Sequence, residues 1–486
     1  MPRSAKALVK CSSRGVLAIS LAAAMVACAP IPAKDQAATI QDISSYQTSV
    51  SFAGTLSAWP TDRWWQDFGD AQLNSLIEEA LRDSPDMAIA AARLHQAEAN
   101  TQVAGATLLP KVGASGSVTE QRQSYNYLSP AAYTPQDWND YGSATLDFSW
   151  EIDFWGKNRA GVAAATSDLQ AQRAEQEQAS LTLSTAIASR YAELARLFAS
   201  RDTSEKAVIV RKRTAVLFAE RYANGMENLG GVRQADAGLA SAEGVLLLVD
   251  EQIGLERNRL AALLGAGPDR GLSIARPRIV LDHPPGLPSE LAVNLLGRRP
   301  DVVATRLQAQ AQASRIEQKQ AEFYPNVNLV GFLGFQSLGL NLLTQNGSTV
   351  GSIGPALYLP IFTGGRLTGE LQGARARYEE AVGNYNRTVT RALQEVADAA
   401  LSKKALAPRL NKSQVAVAAA TDAYQIARNR YEGSLSNYLD VLVAEDAMLT
   451  SMRALTDLQS RAFTLDVELT RALGGGYRHS SDESHS

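Results

Sequence analysis

Four histidines, at positions 95, 283, 479 and 485, are the first side chains to test for metal or acid–base chemistry. A metal site needs a second ligand at a fixed short spacing, as in paired histidines one helical turn apart. None of the four has such a partner, and two of them fall in a polar tail, 477–486, whose composition predicts disorder. Gly474-Gly475-Gly476 would cradle a phosphate only after a strand and before Lys-Ser/Thr. It follows a helical pattern and lacks the lysine, so it reads as the stop of a helix. No Ser-His-Asp order suits nucleophilic catalysis. The residue types therefore predict no enzyme, no cofactor and no metal.

One cysteine does sit in a setting that predicts covalent chemistry. Met25-Val26-Ala27-Cys28 resembles a lipobox, the site at which bacterial lipoproteins are cleaved and acylated. Arg3, Lys6, Lys10 and Arg14 precede an apolar run from Val16 to Ala29, with no acid among them. That run falls short of the ~20 residues a membrane helix needs, and the pattern is that of a secretory signal over 1–27. An ordinary signal with an incidental cysteine is the plainer alternative. Ala29 after the cysteine favours delivery to the outer membrane, where the segment 28–63 would be a lipidated extension. Cleavage removes Cys11, the other cysteine, so the mature chain has no disulfide to form. It also removes four positive charges and no negative one, moving the formal net charge from −3 to −7. A mildly acidic chain gives no reason to expect nucleic acid as a partner.

The elements behind these residues come in duplicate. Ser84-Pro85-Asp86 recurs as Arg299-Pro300-Asp301, and Leu109-Pro110-Lys111-Val112 as Tyr324-Pro325-Asn326-Val327, both 215 residues on. Arg221-Tyr222 recurs as Arg430-Tyr431, and Leu264-Gly265 as Leu473-Gly474, both 209 on. A near-constant offset over four landmarks argues for duplication, with repeats at 64–270 and 271–476. Each repeat reads as a helix begun at a proline and stopped near Leu109 or Tyr324, then two strands, a long helix and a return helix. Leu146, Phe148, Trp150 and Ile152 alternate with polar residues, as a strand with one apolar face does. Val327, Leu329, Leu333 and Phe335 share such a face, as do Ile353, Leu357, Leu359 and Ile361. The strands are expected at about 111–123, 143–153, 326–338 and 350–361.

From Val162 to Asn224 the chain has no glycine and no proline. As a helix this run is roughly 95 Å long, too long for a compact bundle. Ile187, Tyr191, Leu194 and Phe198 mark a coiled-coil seam, and Leu239, Ala242, Leu246, Val249 and Ile253 mark another on the return arm. Leu455, Leu458, Ala462, Leu465 and Leu469 repeat it. The helices are expected at about 157–223, 232–264, 366–432 and 436–473, with tight turns between the arms. Pro408 falls inside the third of them, where a local break or bend is expected. Four strands cannot close a barrel alone, since bacterial barrels start at about eight, and open strand edges are too costly in lipid. The chain must pool its strands with copies of itself.

These residues carry a family resemblance. Trp64-Trp65-Gln66-Asp67-Phe68, with Leu73 and Leu76, resembles the opening helix of the TolC-type outer-membrane efflux lipoproteins. Ile152-Asp153-Phe154-Trp155-Gly156-Lys157 and Leu359-Pro360-Ile361-Phe362-Thr363-Gly364-Gly365-Arg366 resemble that family's strand-to-helix junctions. Leu287-Pro288-Ser289-Glu290-Leu291, with Arg298-Arg299-Pro300-Asp301, resembles its inter-repeat signature. The stretch from Arg430 to Leu442 resembles its second tip, with Ser434 where many relatives have glycine and Gly433 one place early. The resemblance implies an α+β membrane protein, a homotrimer pooling twelve strands into one β-barrel continuous with a periplasmic α-helical barrel. It implies an exit duct for drugs or other small toxic compounds in a tripartite pump. Its partners would be a periplasmic adaptor, an inner-membrane RND-type transporter and outer-membrane lipid. A duct for type I protein secretion shares the fold and is the alternative. A periplasmic adaptor would have one helical hairpin and no apolar strands, against the two hairpins here. By the same resemblance the tips are gate and docking site: Tyr222, Tyr431 and the nearby acid Asp440 for the gate, and Gly225, Leu229, Gly433 and Leu435 for the adaptor.

Overall fold

The structure is a computed structural model and describes residues 31–33, 38–52, 57–126, 131–278, 288 and 291–479. Cys28, the expected site of acylation, lies outside the described residues. Two compact units emerge, and each draws on both repeats. One holds His95–Ala171 and Arg306–Asn384, with the described residues up to Thr39; the other holds Ile40–Leu94, Gln172–Thr305 and Tyr385–Ser486.

The first unit is built on an antiparallel sheet. β1 (Lys111–Gln121), β2 (Asn139–Ile152), β3 (Asn326–Leu338) and β4 (Thr349–Tyr358) lie in the order β1-β2-β3-β4. The strand pairs of the two repeats thus join through β2 and β3, and β1 and β4 are left as edges. Register sets the faces, because side chains alternate along each strand. Phe148 pairs with Val112 and Gly331, Leu146 with Leu333, Trp150 with Leu329, and Val327 with Leu357. One face is therefore almost wholly apolar, and Val112, Leu146, Leu333, Ile353 and Leu357 on it are exposed. On the other face the β1–β2 half is polar and hydrogen-bonded to itself, while Val330, Phe332 and Val350 share the β3–β4 half with Asn328, Gln336 and Ser352. Ser115 Oγ donates to Asp147 Oδ2 at 2.7 Å and lies 2.8 Å from Thr145 Oγ1, and the Ser117 and Ser143 hydroxyls are 2.8 Å apart. β2 begins four residues before the expected 143, because Asn139–Gly142 pair with Val118–Gln121 although their side chains carry no alternation. β4 ends at Tyr358, two residues before Pro360, which has no N–H to donate to a ladder.

In the second unit, α1 (Ala71–Asp83) is capped by Asp70, whose Oδ1 accepts from the backbone N of Gln72 and of Leu73. Its Oδ2 accepts from the Tyr191 hydroxyl at 2.7 Å and from the backbone N of Arg278 at 2.7 Å. Burial and that bond push the Tyr191 phenol up, so it stays a donor. α1 buries Leu73, Leu76 and Ile77 against Ile187, Tyr191 and Leu194, the first of the expected seams. Trp64, Trp65 and Phe68 close this core through edge-to-face contacts. The second repeat makes a parallel core in which α6 (Leu291–Arg298) packs Leu291 and Leu295 on Tyr385 and Val389.

α2 (Pro85–Ala106) and α7 (Pro300–Ala321) begin at the two prolines and stop three residues short of Leu109 and Tyr324, in tight turns closed by hydrogen bonds such as Leu109 N to Ala106 O. The long helices are α3 (Lys157–Ala223) and α8 (Arg366–Glu432), each of 67 residues, with return helices α4 (Leu229–Leu263) and α9 (Tyr438–Ala472). A short α5 (Pro268–Leu272) follows α4. α8 runs through Pro408 as one helix, so of the break or bend expected there the break does not occur. Proline deletes one hydrogen bond, at a cost of about 3 kcal/mol, and the bonds on both sides of it carry the helix across the gap. Among the described residues, no helix is long and apolar enough to cross a membrane.

Candidate functional site

The two helical turns are built alike. At the end of α3 the backbone N of Met226 donates to Arg221 O and that of Gly225 to Tyr222 O. At the end of α8 the N of Leu435 donates to Arg430 O and that of Ser434 to Tyr431 O. This double bond closes a helix only if the residue after the cap turns left-handed. Gly225 does so freely at φ 72°, and Ser434 does so at φ 60°. Gly433 is not left-handed, so the glycine beside Ser434 does not relieve it. Ser434→Gly should stabilise the second turn by a few tenths to about 1 kcal/mol. Amide exchange over 430–437 should then slow by about two- to fivefold. Unaltered exchange would show that the serine bears no strain.

Repeat symmetry ends at the tyrosines. Tyr222 is half exposed, and its hydroxyl has no partner among the described residues. Tyr431 is buried, with 3% of its surface exposed. Its hydroxyl donates to Glu227 Oε2 at 2.9 Å, which ties the end of α8 to the first turn. Its ring stacks on Phe218 at 5.6 Å and carries the Arg221 guanidinium 4.6 Å from its centroid. Tyr438 closes on the same Phe218 at 3.8 Å. Burial, and then the bond to Glu227, push the Tyr431 phenol up to about 12, against the opposing charge of Arg221. The phenol is thus a permanent donor near neutrality, a tie and not a base.

Asp440 is not the acid that meets Tyr431. It is exposed, its backbone N donates to the cap Asn437, and its carboxylate makes no bond or ion pair among the described residues. Glu227 takes that place because the first turn is one in which its Oε1 also accepts from the N of Asn228 at 2.9 Å. Of the expected residues, Tyr431 therefore stands in the cluster, and Tyr222 and Asp440 stand outside it. Phe218, Arg221, Glu227 and Tyr438 were not anticipated. The available signal was a break in the repeat, because position 436, the counterpart of Glu227, is serine. Gly225, Leu229, Gly433 and Leu435 are all exposed at the turns, with Met226 and Leu439 beside them. Among the described residues, no group of three or more His, Cys, Asp or Glu is placed to hold a metal ion.

The sequence matches the model of the outer membrane efflux protein family over residues 76–266 and 291–475. The chain is 30% identical over 429 residues to the multidrug resistance outer membrane protein MdtP of Escherichia coli, covering 87% of this chain and 88% of that one. It is 35% identical over 371 residues to the fusaric acid resistance protein FusA of Burkholderia cepacia, covering 74% and 68%. Among solved structures, the outer membrane protein VceC of Vibrio cholerae is 51% identical, with a TM-score of 0.83, covering 86% of this chain and 100% of that one. The CmeC outer membrane channel of Campylobacter jejuni, at 23% identity and a TM-score of 0.82, has the same fold. Both halves of the duplicated chain, each with its strand pair and its long helical hairpin, fall within the family match, and the chain belongs to the outer membrane efflux protein family.

Proposed function

We propose that this chain is the exit duct of a tripartite pump, conducting drugs or other small toxic compounds passively from the periplasm across the outer membrane. The observation that carries this reading is the joining, in each repeat, of a strand pair with a bare apolar face to a 67-residue helix. Lipid is the solvent such a face suits, and its two edge strands call for closure by further strands. Three copies would pool twelve strands, within the range of bacterial barrels. The relatives named for multidrug and fusaric acid resistance favour small cargo over secreted protein. The reading also places Cys28 as a lipid anchor, the helical part in the periplasm, and an adaptor with an RND-type transporter on the inner side. The exposed turns around Leu229 and Leu435 supply the adaptor's docking surface, and Tyr431 with Glu227 supplies a tie across the gate.

The test is genetic and biochemical together. Deleting the gene should raise susceptibility to the pump's compounds, and restoring the chain should reverse this only when adaptor and transporter are present. Leu229→Glu with Leu435→Glu should abolish the rescue while heat-resistant trimer persists in the outer membrane. Full resistance in that double variant would move docking elsewhere. A chain found as a monomer, with no outer-membrane fraction, would overturn the duct.

A further inference from the structure

Glu445, on α9, is sealed from solvent between the helical arms, with its side chain 0% exposed. We infer that Glu445 is a proton-responsive tie, drawing α9 onto α3 more firmly as the periplasm acidifies. The inference rests on the reading of the chain as a duct whose helical tips part to open.

The charge count around Glu445 is the main ground. From α3, Arg211 places Nε 2.8 Å from Glu445 Oε1, and Thr214 Oγ1 donates to Oε2 at 3.2 Å. The same guanidinium also pairs through Nη2 with Asp446, the next residue. Two carboxylates thus share one cation, which leaves the cluster with an excess negative charge. Asp446 is well exposed and keeps its water, so the excess falls on Glu445. Oε1 is buried and, despite the short approach of Arg211, has no aligned hydrogen bond. From α8 the group within electrostatic range is Tyr424, and from α9 itself it is Tyr438, both phenols that stay neutral near pH 7. The Tyr438 hydroxyl is itself buried without a hydrogen-bond partner.

Burial holds the Glu445 carboxyl above the ordinary carboxylate range, with Asp446 adding to the rise and Arg211 and Thr214 opposing it. When the arms part and Glu445 meets water, its proton affinity falls back to the ordinary value. The proton therefore binds the packed tip more tightly than the parted one, and acid shifts the population toward the packed form. Stability from this group rises as pH falls through the raised value and is fully gained below the ordinary one. No histidine lies on α3, α4, α8 or α9 to produce such a response instead.

The experiment uses full-length protein in planar bilayers, with the pH varied only on the side of the helical tips. Wild-type conductance should fall severalfold as the pH is lowered from 7.5 to 4.5, because the packed tip holds the Glu445 proton at a pH where the parted one has lost it. Glu445→Gln should be low and flat across that range. Asp446→Asn, which returns the whole of Arg211 to Glu445, should move the midpoint to lower pH. An unchanged slope in Glu445→Gln, or a wild-type conductance that is flat or rises with acid, overturns the inference and leaves the duct reading standing. A protein that forms no channel at either pH overturns both. Should Glu445→Gln fail to assemble, amide exchange in the wild-type trimer decides the matter. After correction for intrinsic rates, protection over 205–216 and 438–450 should increase at pH 4.5, and equal protection at the two values refutes it.

Discussion

Tyr431→Phe should raise single-channel conductance in planar bilayers, and Glu227→Ala should raise it by a similar amount. The two substitutions remove the two ends of one hydrogen bond, 2.9 Å long, between α8 and the turn that follows α3. Phenylalanine keeps the ring, so the stack on Phe218 and the contact with Arg221 persist, and the loss is confined to the hydroxyl. A hydrogen bond to a charged acceptor contributes about 1.5–3 kcal/mol. In the proposed trimer the loss recurs in every copy, which is enough to move a population of parted tips from rare to prominent. If the bond is the relevant unit, the double variant should exceed neither single by much, because a pair already broken has nothing further to lose. Asp440→Ala should leave conductance at the wild-type level, as its carboxylate meets no partner in the chain. A conductance that rises in Asp440→Ala and not in Glu227→Ala would place the lock between copies and not within one.

The contrast between Asp440 and Glu227 marks where sequence reasoning succeeds and where it stops. Long-range periodicity was readable, because a coiled-coil seam imposes the same demand at every turn. Ile187, Tyr191 and Leu194 are accordingly all buried where their spacing places them. The apolar sheet face was readable for the same reason, from Leu146, Phe148 and Trp150 alone. What no periodicity encodes is which acid crosses from one hairpin to the other. Glu227 and Tyr431 are 204 residues apart, and only the packing of α8 against α3 brings them together. Nor does composition distinguish Tyr222 from Tyr431, which occupy matching places in the repeat yet differ in burial. The strand ends failed in a similar way. Asn139–Gly142 are held by pairing with β1, a non-local cause that leaves no alternation behind. Glu445 was invisible too, since a glutamate on a charged helix ordinarily faces water.

Leu333→Arg should nearly abolish outer-membrane trimer, whereas Ser352→Arg should insert at close to the wild-type level. The two positions are neighbours in the sheet. Leu333 pairs with Gly351 and Phe332 with Ser352, so a step of one residue separates them and carries the side chain to the opposite face. Leu333 stands on the apolar face beside Leu146 and is 62% exposed in the single chain, a large aliphatic surface with nothing of this chain over it. If that face meets lipid, an arginine near the middle of the bilayer costs about 2–4 kcal/mol per copy, and in the proposed trimer that cost recurs three times. Ser352 stands on the face that carries Ser115, Ser117, Thr145 and Asp147, which in the proposed barrel lines the lumen, where water would solvate a cation. Its effect should appear in permeation: a ring of added positive charge should shift the reversal potential in a salt gradient toward anion preference. Sucrose-gradient fractionation with unheated gel electrophoresis measures the first outcome, and planar bilayers measure the second. Normal trimer yield in Leu333→Arg with loss of insertion in Ser352→Arg would mean that the polar face is the one turned outward. That result would contradict the hydrogen-bonded hydroxyl pairs, which are stable in a wet lumen and have no reason to line a lipid surface.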